Sequence, residues 1–179
     1  MNSEINNNDN YIEGASLFSV PDLGVNAMAK GTYEQLIETL NEAKTQFSHV
    51  RKSIGEASAN ADWHDNFAFE DARRESQLLE SIISARTKQL ENPFFIKPRK
   101  EIDLIGLGNA CVVEFEDGEE ETFTLLGPND SILRDGCVSY STNIAKQLLG
   151  KQAGTVVKVD VNNKTITIKI KKILPGDFD

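Results

Sequence analysis

Two carboxylates three residues apart, with an indole and an imidazole between them, are the groups in this chain best placed to do chemistry. They lie in the run Asp62-Trp63-His64-Asp65-Asn66. Paired carboxylates offer hard oxygen ligands to a magnesium ion, and either one can orient or deprotonate a water molecule. A plainer reading of the same residues is helix capping. Asp62 would accept from an amide near Asp65, and Asp65 would sit in the first turn beside the positive helix end. His64 beside two acids reads as an exposed residue before it reads as a ligand. Trp63 either packs beneath the turn or touches a partner.

The elements on either side must hold this run in place. From Thr32 the apolar positions are Tyr33, Leu36, Leu40, Ala43, Phe47, Val50, Ile54 and Ala57. Their alternating spacing of 3 and 4 is a heptad seam, which predicts a helix with one partner along one stripe. Glu34, Glu38 and Glu42 fall on its solvated face. A second helix is expected over 65–91, with Ala68, Ala72, Leu79, Ile82 and either Ala85 or Arg86 inward. Glu75 stands there where an apolar residue belongs. Asn92-Pro93 ends it, because proline disfavours helical geometry before it and lacks a donor. Residues 30–92 therefore read as an antiparallel coiled-coil hairpin with 62–66 at its tip, and 93–101, containing Pro98, as a linker. Arg51, Lys52, Arg73 and Arg74 form a candidate basic patch beside the tip, or else solvated helix faces.

Beyond residue 102 the period changes. Runs at 110–115, 121–126, 137–140, 155–161 and 165–170 alternate as short strands, with tight turns at 116–118 and 162–164. One helix is expected over 143–149, closed by Gly150. The reading for 102–179 is a small domain around a strongly bent antiparallel sheet, so the fold class is α+β. Residues 1–29 carry no Lys or Arg and are rich in Asn, a composition that predicts a mostly disordered tail. The apolar patch Leu17-Phe18-Ser19-Val20 stands apart, either docking on a neighbouring surface or forming a weak strand.

The 179 residues carry a formal charge of −9. That disfavours a main activity on nucleic-acid backbones and favours a basic protein surface as partner. The two cysteines, Cys111 and Cys137, lie in strand-like surroundings and read as free thiols of a reducing compartment. No apolar run is long enough for a membrane span and no signal peptide is evident. The expectation is a cytoplasmic protein.

Several phrases together resemble the bacterial Gre transcript-cleavage factors, GreA and GreB. They are Gly31-Thr-Tyr-Glu-Gln-Leu36, the tip run 62–66, Ala72-Arg73, and Thr122-Phe123-Thr-Leu-Leu-Gly127-Pro128. The last is the segment Val138-Ser-Tyr-Ser-Thr-Asn-Ile144-Ala145-Lys-Gln-Leu148-Leu149-Gly150-Lys151. The resemblance covers about residues 28–174. Two departures stand out: Asp65 where the family usually has Glu, and Thr142-Asn143 where it has Ser-Pro.

The resemblance implies an FKBP-like head that docks at the rim of the RNA polymerase secondary channel through Gly127, Pro128, Ile144, Leu148, Leu149 and Lys151. It implies a hairpin that carries Asp62 and Asp65 to the polymerase active site, where they share magnesium with the enzyme. Asn66, Trp63 and His64 would support the tip, and Arg73, with Arg74, Arg51 and Lys52, would face the RNA 3′ end. The expected activity is stimulated cleavage of backtracked RNA. The chain would act as a monomeric accessory factor with no stably bound cofactor and no nuclease activity of its own. Two alternatives remain at this stage. One is a non-cleaving regulator or inhibitor that occupies the same channel, and the other is a generic coiled-coil adaptor or chaperone. Peptidyl-prolyl isomerase activity is disfavoured, because the head lacks a dense aromatic pocket.

Overall fold

The structure, a computed structural model, describes residues 11, 12, 18, 26–59, 66–162 and 164–178. The chain divides into two compact units. Residues 34–91 form one, and 1–33 together with 92–179 form the other.

The first element is the short strand β1 (Asn26–Met28), followed by the long helix α1 (Lys30–Ala59) and by α2 (Asn66–Gln89). At 30 and 24 residues these helices are roughly 45 and 36 Å long. The α1 seam lies where the heptads put it: Leu36, Leu40 and Ala43 are buried, and Phe47, Val50 and Ile54 are half-buried. Glu34, Glu38 and Glu42 are exposed. On α2 the expected inward residues Ala72, Leu79, Ile82 and Arg86 are buried or half-buried, and Phe69, Ser76 and Ile83 are half-buried beside them. Glu75 is exposed, and its neighbour Ser76 holds the seam position. Arg86 rather than Ala85 lies inward, where its Nη1 donates to Gln89 Oε1 at 2.7 Å.

After α2 come β2 (Pro93–Phe95), β3 (Ala110–Glu114) and β4 (Glu120–Leu126). Then follow α3 (Pro128–Leu133), β5 (Cys137–Ser139), α4 (Asn143–Leu148), β6 (Val156–Val161) and β7 (Lys164–Leu174). The five-stranded sheet has the order β5-β4-β3-β7-β6. It is mixed, not purely antiparallel: β5 runs parallel to β4, and every other neighbouring pair is antiparallel. A register shift between Val112 and Val113 interrupts the β3–β7 ladder, the kind of irregularity that bends a strand and increases its twist. Inward residues alternate along the strands, with Cys111 and Val113 on β3, Val157 and Val159 on β6, and Ile168 and Ile170 on β7. With Leu107, Leu125, Leu126 and Leu148 they form one core. Burial pushes the Cys111 thiol up to about 12, so it stays protonated and inert at neutral pH.

Three further features depart from the sequence reading. The head carries two short helices, because Pro128, expected in a turn, opens α3 at its first position. Residues 26–28 and 93–95, expected in the tail and the linker, pair as a parallel two-stranded ladder. The segment 96–109 is also ordered, around a buried amide. Asn109 Oδ1 accepts from Gly106 N–H (2.9 Å) and Arg99 Nη1 (3.1 Å). Its Nδ2 donates to the carbonyls of Glu101 (2.9 Å), Arg99 (3.2 Å) and Leu174 (3.3 Å). Asn109→Ala removes the side-chain partner of the Gly106 N–H and the Leu174 carbonyl, while Arg99 and the Glu101 carbonyl keep others, and is expected to cost about 3 kcal/mol, read as a lower urea midpoint at unchanged m-value. A loss under about 0.5 kcal/mol would show that this amide does not hold the segment.

Candidate functional site: the hairpin tip and the head

Asp62, Trp63, His64 and Asp65 lie outside the described residues, as does the side chain of Asn66. The elements that carry them are defined. α1 ends at Ala59 and α2 begins at Asn66, so six residues join the helices. The helix starts one residue later than expected, which makes Asp65, not Asp62, the residue immediately before it. A carboxylate at that position suits capping and also lies beside the positive end of the helix.

The four basic residues are exposed on the two helices that lead to the tip. Arg73 lies seven residues into α2, roughly 10 Å along its axis. Arg51 and Lys52 lie in the last third of α1. The Arg51 guanidinium sits 5.6 Å from the Phe47 ring centroid, and Lys52 approaches Glu56 at 3.8 Å in an exposed pair. Such a pair contributes little stability. Among the described residues no group of three His, Cys, Asp or Glu side chains could hold a metal ion.

The head separates the expected docking residues into two kinds. Leu148 and Leu149 are buried in the core and cannot offer their side chains to a partner, and Ile144 is half-buried against the same core. Gly127 is also buried. A side chain there would collide with the Ala27 carbonyl oxygen, so glycine is needed for the backbone of β1 to come close. Pro128 is half-buried and Lys151 is exposed, so these two remain available at the surface. The Leu148-Leu149 pair therefore shapes the surface from beneath.

α4 is fixed at its start by Thr142, whose Oγ1 accepts from Ala145 N–H at 3.2 Å. Asn143 follows and donates from Nδ2 to Asp160 O on β6 at 3.0 Å. The Thr-Asn pair thus caps the helix and tethers it to the sheet by a side-chain bond that proline could not make. A second residue that sequence reasoning passed over is Asp130, completely buried in α3. Its Oδ2 accepts from Gly127 N–H at 2.8 Å, and its two oxygens accept from Ala29 N–H at 3.0 and 3.3 Å. Its signal in the sequence was an acid two residues after a Gly-Pro pair, the position from which a carboxylate reaches back to a helix start. Arg134, which follows the last residue of α3, donates from Nε to Thr32 Oγ1 at 3.0 Å and joins the other end of α3 to the first turn of α1.

Residues 26–93 match the model of the N-terminal domain of transcription elongation factors, and 100–175 match the C-terminal domain of GreA/GreB. A GreA from Geobacillus kaustophilus is 32% identical over 146 residues, covering 80% of this chain and 92% of that protein. The chain belongs to the GreA/GreB family. It is a transcription elongation factor of the GreA/GreB type. A GreA from Thermodesulfovibrio yellowstonii is 28% identical over 144 residues, covering 79% of this chain and 91% of that one. Among solved structures, the GreA factor homolog Gfh1 of Thermus thermophilus matches 82% of this chain and 97% of its own, at 22% identity and a TM-score of 0.39. No helix among the described residues is long and apolar enough to cross a membrane.

Proposed function

We propose that this Gre-family chain binds RNA polymerase through its head, enters the secondary channel with its hairpin, and stimulates cleavage of the backtracked RNA 3′ end. The observation that carries the reading is the pair Asp62 and Asp65 in the six-residue connection between two long helices of a GreA/GreB-family chain. Two carboxylates are too few to hold magnesium well by themselves, and their oxygen donors suit completing a site whose other ligands come from the polymerase. The shared magnesium would stabilise the attacking and leaving oxygens of the cleavage step. Asp62 retains that ion, Asp65 positions it or the attacking water, and Asn66 braces the tip by hydrogen bonding. Arg73 and its basic neighbours face the displaced RNA end. The chain is an accessory factor, and the polymerase supplies the remaining catalytic groups.

One observation keeps a second reading in view. Asp65 is one methylene shorter than the family's usual glutamate, which favours a channel-occupying regulator that binds without cleaving. Both readings are separated by incubating a backtracked elongation complex of the cognate polymerase with magnesium, with and without the protein. Shortened RNA that resumes extension supports the cleavage factor. Stable binding with intact RNA selects the regulator, and no binding at all overturns both.

A further inference from the structure

The family models begin at residue 26, yet three residues upstream of that point contact the head. Tyr11 bridges Phe95 of β2 in parallel register, and Ile12 N–H donates to Phe95 O at 3.1 Å. Ile12 is only 9% exposed and joins the core. The Tyr11 ring lies 5.7 Å from the Phe95 ring, and Lys97 Nζ sits 3.6 Å above its centroid. The Arg99 guanidinium lies 5.0 Å from the centroid of the Phe18 ring. A side chain on Gly150 would touch Phe18, at 3.8 Å from its backbone oxygen and 3.9 Å from its Cβ. Of the two outcomes open for the patch around Phe18, this residue takes the first and docks on a neighbouring surface.

Gly150 lies between Leu149 and the exposed Lys151, in the segment on which docking to polymerase was placed. We infer that the N-terminal segment is an internal strap, anchored by Tyr11, Ile12 and Phe18, that competes with RNA polymerase for this face of the head. The inference rests on the reading that the head docks on polymerase. The chemistry suits a reversible contact. Ile12 and the Tyr11 bridge anchor the strap, whereas the Phe18 ring meets the Arg99 guanidinium at a half-exposed site, where a cation–π contact is weak in water. The Tyr11 ring lies on Lys97 Nζ, so its release uncovers one cation, whereas the Arg99 guanidinium beside Phe18 is already paired with Asp103 at 2.9 Å and Glu101 at 3.8 Å. A site occupied by its own chain most of the time binds an outside partner more weakly by the fraction left open.

The test compares the full chain, its Phe18→Ala variant, and a chain beginning at Asn26. Two readouts are taken: affinity for the polymerase core enzyme, and the chemical shifts of the backbone amides of residues 148–151 in the free protein. Phe18→Ala keeps the Ile12 anchor and serves as the variant whose fold is undisturbed. The expected result is a shift change at Gly150 in both altered chains, with affinity for polymerase rising about fivefold or more. Unchanged shifts overturn the contact itself. Changed shifts with unchanged or weakened affinity overturn the competition and leave the strap as a structural element or a docking aid. Absence of polymerase binding by all three chains overturns the docking reading and this inference with it, while the shifts still report whether the strap contact exists.

Discussion

Asp65→Ala is expected to lower stimulated RNA cleavage by about 100-fold or more, the size of effect removed with a positioned acid or base. Affinity for the polymerase should stay within about twofold, because docking is assigned to the head and Asp65 stands in the connection between the two helices. Alanine alone cannot separate catalysis from capping, since the residue immediately precedes α2. Asp65→Asn does. Asparagine caps a helix as well as aspartate does, but it brings a neutral amide where a metal needs anionic oxygen. If Asp65 acts on the metal or the water, Asn should be nearly as inactive as Ala. Full cleavage by Asp65→Asn would sink the catalytic role and leave a cap. The assay is the rate of 3′ shortening in a backtracked complex at saturating factor, with binding measured separately by competition.

The largest expected loss of stability comes from Asp130. Ala29 and Gly127 are both buried, and each points its amide N–H at the Asp130 carboxylate. Asp130→Ala strands both donors without water. Each unsatisfied buried donor costs about 1–3 kcal/mol, so a total of about 3–5 kcal/mol is expected. That is a large part of the whole stability of a domain, about 5–15 kcal/mol. Asp130→Asn keeps one oxygen acceptor and should recover about half of the loss. Urea denaturation of the three chains measures it. A loss below about 1 kcal/mol for Asp130→Ala would mean that relaxed backbone or water satisfies these amides.

The heptads of α1 were legible because its apolar residues coincide with its buried ones. Those of α2 were legible in part: Ala72, Leu79, Ile82 and Arg86 lie inward as the pattern placed them, but at the break marked by Glu75 the half-buried residue is the polar Ser76, which hydrophobicity does not single out. Strands β3, β6 and β7 were legible from alternation, and the hairpin turns from Gly118 and Asn162, which adopt φ values of 85° and 50°. The helix α3 was hidden because Gly-Pro serves equally as a turn and as a helix start. β1 and β2 were invisible, since three-residue strands far apart in the chain leave no local pattern. The resemblance placed the docking phrases but not their orientation. A motif fixes which residues stand where, and only packing shows that Leu148 and Leu149 turn inward while Lys151 does not. The tip pair rests on residue type and spacing alone, because Asp62 and Asp65 lie outside the described residues.

The parallel pairing of β1 with β2 has a consequence for the order in which order can arise. Asn26 meets Pro93 across 67 intervening steps of chain, and closing a free loop of that length costs roughly 3.7 kcal/mol above the constant term. Helices form from local contacts in about a microsecond. Most of the order within α1 and α2 is therefore local and early, and the three-residue strands, whose pairing must close the whole loop, are expected to meet last.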